Sequence, residues 1–459
     1  MAAATELAQF AASLTLNDIP AEVQETATLH LLDAFGAGLA GLAMGEMQSA
    51  RDIAEEMGGR PEATAMGISD KLPPGVAAFA NAAVIHALDF DDTHDAALVH
   101  SSAVIGPVAM ACGEAWTVDG RDLVAAIVAG FEISSRIGLA GAGNLHVRGF
   151  HPTSVCGVFA AAAIASRLRG LDATGTTNAL GIAGSFSSGI LEFLADGSQT
   201  KPYHPGWASL GGITAAGLAA RGGTGPATVL EGRFGLLPTH LNEGQYDLAA
   251  LTAGLGSRWE TSAVAIKPYP ACHCTHTVLD ALRVIIDTTS IGPDDVASIV
   301  CLVPSEVAVR LVLEPSDRKK RPSNPYDAKF SLPFTVGAML VHDFVGVESF
   351  TDQAIADPRV LAVAERVEYE VRPFESGNAD LAGAITVRTI DGREFTHQVL
   401  VPRGGSDNPM TADQIRAKFE LNASLALSES DVDALITAFD KLATGGAAPI
   451  AAVLARTRL

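Results

Sequence analysis

Residues 149–172 read GFHPTSVCGVFAAAAIASRLRGLD. Pro152 sits where the first turn of a helix tolerates proline, and Gly170 falls where a helix stops. Between them, small apolar residues occupy more than one helical face. A helix of that kind is surrounded by other helices, and its short side chains let the axes approach closely. The stretch therefore specifies the interior of a helical bundle.

The same character extends on both sides. After Pro20, residues 21–42 place Val23, Leu31, Leu32, Phe35 and Leu39 at helical spacing. Further helices are expected over 74–89, 101–117, 121–140, 176–194 and 205–221, the last stopped by Gly222-Gly223. The pattern changes near residue 295. SIVCLVP (298–304), RVEYEVR (366–372), AITVRT (384–389) and FTHQVLV (395–401) read as strands, and Asp391-Gly392 marks a hairpin. Helical patterns return at 275–287, 326–342, 411–420 and 429–443. The expected fold is mainly α: a large all-helical domain over 1–267 plus 404–459, and a smaller α+β domain over 268–403. The tail helices should pack back on the large domain, because two amphipathic helices make a poor core alone.

The chain has 459 residues, 48% hydrophobic and 18% charged, which supplies a sizeable core and excludes a disordered chain. Its formal charge of −21 repels phosphate backbones, so no nucleic-acid partner is expected. Any anion site must come from a local cluster of basic residues. Mean hydropathy is +0.26, yet the uncharged run 173–191 is interrupted by Thr, Asn, Ser and Gly, so no membrane span is expected. Five scattered cysteines suit a reducing compartment, and MAAATELAQFAAS lacks a basic secretory start; a cytoplasmic location is expected. No cysteine trio has an iron–sulfur spacing. GLAGAG (138–143) ends a helix instead of opening one, so it is no dinucleotide fingerprint.

Several polar segments interrupt this apolar chain. His86, Asp89, Asp91, Asp92, Thr93, His94, Asp95 and His100 crowd into fifteen residues. Such groups are expensive to bury unless paired. A solvated helix end with capping residues, or a metal site, would also accommodate them; the spacing matches no zinc pattern. Arg148-Gly-Phe-His151-Pro-Thr-Ser places a His and two hydroxyls at a helix start, either an anion site or ordinary capping. Lys201 and His204 put two cations before a helix, against its dipole, so an anion neutralises them or they are exposed. Lys267-Pro-Tyr-Pro-Ala-Cys272-His273-Cys274-Thr-His276 repeats that theme at the domain junction, where clefts often hold ligands. Its Cys-x-Cys spacing is unlike a zinc finger.

Together these segments resemble the MmgE/PrpD family. The carrying stretches are HALDFDDTHDAALVHSSAV (86–104), GFHPTSVCGVFAAAAIASRLRGLD (149–172), QTKPYHPG (199–206), LEGRFGLL (230–237), IKPYPACHCTH (266–276), DAKFSLPF (327–334) and SDNPMTADQIRAKF (406–419). The resemblance implies a cofactor-independent, metal-free homodimer whose α+β domain is a lid, acting on small di- or tricarboxylates. Carried over by motif, the site residues are Asp89, Thr93, His100, His151, Lys201, His204 and Lys267. Two positions depart from the decarboxylase branch: Cys272, with His273 beside it, replaces a His, and Phe334 replaces a Tyr. The resemblance thus implies a hydro-lyase of the 2-methylcitrate dehydratase type first. A dicarboxylate epimerase, a cis-aconitate decarboxylase and a silent carboxylate-binding protein follow in that order.

The shared chemical problem is removing a proton next to a carboxylate. Lys201, Lys267, His204 and Arg148 could stabilise the resulting charge. His151 or His100 would be the base and the other the acid, with Asp89 orienting an imidazole and Thr93 binding a substrate carboxylate. His273, Cys272 and Phe334 complete the expected substrate contacts.

Overall fold

His151 is the extended residue before the helix Pro152–Leu168, whose side chains are almost all buried. Gly170, at φ +74°, ends it: its N–H donates to Arg167 O at 2.8 Å and that of Leu171 to Ser166 O at 3.0 Å. The small residues serve close packing against the helix Tyr203–Ala219. A Cβ on Gly212 would lie 2.3 Å from Ala161 Cβ and 2.7 Å from the Val158 carbonyl. On another face, a Cβ on Gly130 of the helix Gly120–Ala140 would meet Ile164 at 2.6 Å.

The computed structural model describes residues 1–375 and 381–457. Helix accounts for 58% and strand for only 8%, so the fold is mainly α with a smaller α+β region. One hydrophobic core runs from Ala4 to Val264 and resumes at Phe419, taking in the helices Ala21–Ala43, Pro74–His86 and Ser102–Ala115. The tail helices Ala412–Ala423 and Glu429–Asp440 join this core through Phe419, Leu435 and Phe439. The Gly120–Ala140 helix is long and apolar enough to cross a membrane, but it lies inside the core and carries a buried Glu132–Arg136 pair at 3.2 Å.

A second core spans Tyr269 to Val387, with Phe395 and Val399 packed against it, and also takes in Leu191 and Phe193. The strands are β1 (Thr93–His94), β2 (Val264–Ala265), β3 (Val296–Val303), β4 (Val367–Val371), β5 (Gly383–Thr389) and β6 (Glu394–Val399). The larger sheet has the order β4-β3-β5-β6, with β3 parallel to β4 and the other pairs antiparallel. The β5–β6 hairpin turns at Gly392, whose φ of +85° suits glycine. The helix His276–Thr289 packs across β5 and β6.

Two expected helices end early. The 74–89 helix stops at His86, and Asp89 takes a left-handed φ of +54°. The 176–194 helix covers only Ala173–Ala183. Beyond it the Gly189 carbonyl accepts from the His151 N–H at 3.0 Å, and Leu191 N–H donates to Gly149 O at 2.8 Å. Bonds to a neighbouring segment replace helical ones there.

Candidate active site

Three short pairings assemble the polar segments. β1 pairs with β2, Thr93 opposite Ala265, which brings the Asp89–His100 loop beside Lys267. Residues 149–151 pair with 189–191, which brings His151 beside the segment leading to Lys201. Gly404, at φ +90°, accepts from the Ile266 N–H at 3.0 Å; a Cβ there would sit 1.9 Å from the Ile266 carbonyl. The left-handed backbone at Asp89, strain of about 1 kcal/mol, turns its carboxylate inward.

The result is a cavity of about 630 Å³. Asp89, Thr93, His100, His151, Lys201, Lys267, Cys272 and His273 all line it. Asp89 is buried at its centre. Lys201 Nζ lies 2.5 Å and Lys267 Nζ 3.1 Å from Asp89 Oδ1, and Lys267 also donates to the Asp89 carbonyl at 2.9 Å. Burial alone would raise the Asp89 carboxyl, but Lys201 and then Lys267 hold it well below the usual carboxylate range. One carboxylate shared by two ammonium groups leaves a positive charge for an anionic ligand. Of the two alternatives for Lys201, an anionic partner or exposure, the buried lysine has the first, the Asp89 carboxylate.

His100 Nδ1 lies 2.9 Å from the Asp92 carbonyl, which can only accept, so Nδ1 carries the proton and Nε2 keeps its lone pair. Thr93 Oγ1 lies 3.0 Å from the same nitrogen. Behind it, Asp92 is held by His30 at 2.8 Å and by the Ser102 N–H at 2.9 Å, and His86 Nδ1 donates to Asp91 at 2.8 Å. His151 Nδ1 faces His204 Nδ1 at 3.0 Å, one donating to the other. Burial, with Lys201 and Lys267 adding to it, pushes the His100 imidazole well below its ordinary range. Burial, then His86 and Lys201, does the same to His151. Burial, His86 and Lys201 push His204 down to about 4. These imidazoles are neutral near pH 7, the protonation state of a base.

Cys272 is lowered to about 7, chiefly by its hydrogen bond with Cys274, which is raised in turn. His273 Nδ1 lies 3.1 Å from Asp95 Oδ1.

Three expected contacts do not line the cavity. Arg148 is exposed and does not line the cavity, because Gly149, at φ +89°, turns the chain between it and His151. Phe334 is buried in the second core, its ring 6.0 Å from that of Phe350; Phe330, four residues earlier and before the helix start, lines the cavity instead. His204 touches His151 without lining the cavity. Sequence reading missed the apolar wall of Leu191, Phe193, Leu194, Leu311 and Phe330. Nothing distinguishes these residues from core residues in the sequence.

Two family descriptions match this chain: the MmgE/PrpD N-terminal domain over residues 5–249 and the MmgE/PrpD C-terminal domain over 269–444. The chain belongs to the MmgE/PrpD family. Among curated MmgE/PrpD relatives, the human cis-aconitate decarboxylase is 32% identical over 420 residues, covering 88% of this chain and 84% of that protein. The mouse cis-aconitate decarboxylase is 30% identical over 425 residues, covering 90% and 85%. That of Aspergillus terreus is 27% identical over 465 residues, covering 95% and 93%. These relatives support the lyase class for this MmgE/PrpD chain.

Proposed function

We propose that this MmgE/PrpD lyase acts on a small di- or tricarboxylate by removing a proton next to a carboxylate, and that the elimination expels water. The observation that carries the reading is the Asp89–Lys201–Lys267 knot beside His100. The lysines bind the substrate carboxylate and stabilise charge that spreads onto it as the proton leaves. His100, fixed in one tautomer by the Asp92 carbonyl, accepts the proton at Nε2. The C–H electron pair becomes the C=C bond, and the hydroxyl leaves as water after taking a proton. The His151–His204 pair, sharing a proton between two ring nitrogens, supplies it. Thr93 holds a substrate carboxylate.

A second reading, decarboxylation of a cis-aconitate-like tricarboxylate, is favoured by the names of the relatives. Cys272 lines the cavity where the resemblance implies a His, which weighs against this reading.

Product analysis by proton NMR with 2-methylcitrate, citrate, cis-aconitate, malate and iminodisuccinate tests both readings. Conversion of a hydroxy acid to an alkene supports the first. Carbon dioxide release from cis-aconitate replaces it with the second, and inversion without loss of a group makes the chain an epimerase. A homodimer in the cytoplasm is part of the proposal. Size-exclusion chromatography with light scattering checks the assembly.

A further inference from the structure

Three imidazoles meet behind the Asp89–lysine knot. The His86 ring centroid lies 4.8 Å from that of His100 and 5.5 Å from that of His151, and the latter two are 6.2 Å apart. One ring nitrogen from each lies within 4.8 Å of the other two. The Nδ1 atoms are already committed: His86 to the Asp91 carboxylate, His100 to the Asp92 carbonyl and His151 to His204. The Nε2 atoms remain. Those of His86 and His151 are buried with no hydrogen-bond partner among the described residues. Buried unpaired nitrogens are costly and uncommon. An imidazole oriented through one nitrogen by a carboxylate or carbonyl, and presenting the other, is the arrangement of a metal ligand.

We propose that His86, His100 and His151 bind a divalent transition-metal ion of the zinc type, and that the bound ion blocks turnover. Three imidazoles form a zinc-ligand set whose fourth position is left to water or a substrate carboxylate. Ideal zinc–nitrogen distances of about 2.0–2.1 Å place the ligand atoms about 3.3 Å apart, so the three rings close in on the ion as it binds. Lys201 and Lys267 oppose a cation here; Asp89 and Asp91, the latter 3.6 Å from His100 Nδ1, offset them. The expectation of no metal rested on spacing along the chain and on what the family resemblance implies. The three ligands come from a helix end, a loop and a helix start, so no local spacing could announce them. The blocking role rests on the proposed function, in which His100 is the base: a nitrogen bound to metal has no lone pair for a proton. Metal binding itself does not depend on that reading.

The test uses the full-length protein freed of metal by a chelator. Titration with cobalt(II) should show one ion per chain, with visible ligand-field bands and no thiolate-to-cobalt charge-transfer band. Zinc in competition with a chromophoric chelator should displace it, and His86→Gln should weaken zinc binding at least tenfold, while Cys272→Ser leaves it unchanged. Zinc should inhibit wild-type turnover over the range in which it binds. A thiolate band, no stoichiometric binding, or full affinity in folded His86→Gln would overturn the site. Should that variant not fold, the wild-type cobalt spectrum decides alone. Full turnover with zinc bound would overturn the blocking role, and both metal readouts stand even if no polycarboxylate is turned over.

Discussion

Asp89→Asn is the substitution whose consequence follows most directly from the geometry. The carboxylate lies within 3.1 Å of both Lys201 and Lys267, and all three side chains are buried. The amide keeps the shape and removes the charge, so two ammonium groups face each other without a counter-ion. Two unit charges about 4 Å apart at an effective dielectric of about 20 interact by about 4 kcal/mol. That agrees with the loss of about 3–5 kcal/mol seen when one partner of a buried pair is removed. Urea unfolding at pH 7, followed by circular dichroism, should report a loss in that range. The pH dependence carries a second signature. The folded Asp89 carboxyl is held below its unfolded value, so its contribution is complete above about pH 4 and fades as pH falls toward the folded value. Asp89→Asn should lose that part of the acid slope. A stability change under 1 kcal/mol, with the acid slope intact, would refute the shared-carboxylate account.

Other predictions follow from the same site. His100→Gln should lower kcat by about 10²–10⁴ with KM little changed, measured by steady-state kinetics on the identified substrate. The acid limb of kcat/KM should lie below pH 6.5, because burial and the two lysines lower His100 and the base works unprotonated; a limb above that value would assign the base elsewhere. Arg148→Ala should leave kcat/KM within about twofold, as an exposed residue off the cavity; a tenfold loss would return it to the site. Gly404→Ala should lower turnover more than its effect on thermal stability explains, because its Cβ would push on Ile266, next to Lys267.

The helical bundle was legible because Ala- and Gly-rich helices, apolar on several faces, have few ways to be buried. The helix expected between Pro152 and the stop at Gly170 is observed at Pro152–Leu168. The hairpin was legible because Asp391-Gly392 supplies the left-handed turn. Less visible were the places where tertiary bonds replace helical ones. Asp89 leaves the helix to meet two lysines more than a hundred residues away, and Gly189 leaves it to bond His151. Arg148 read as a site residue because it adjoins His151 in sequence, yet one glycine turn sends the two in opposite directions. Phe334 and Phe330 share a motif, and only the helix start at Leu332 determines which faces the cavity. The Gly404 clamp on Ile266 is a contact between segments far apart in sequence, and no local pattern encodes it.

The central claim is that the site removes a carbon-bound proton next to a carboxylate. Its most direct test is proton NMR of the enzyme in deuterated buffer with a panel of small polycarboxylates. The account predicts deuterium exchange at the carbon next to a carboxylate in at least one hydroxy acid, with the alkene appearing alongside, and loss of both in His100→Gln. A product formed with its carbon-bound protons next to the carboxylates all retained, or exchange and alkene formation undiminished in His100→Gln, would contradict it.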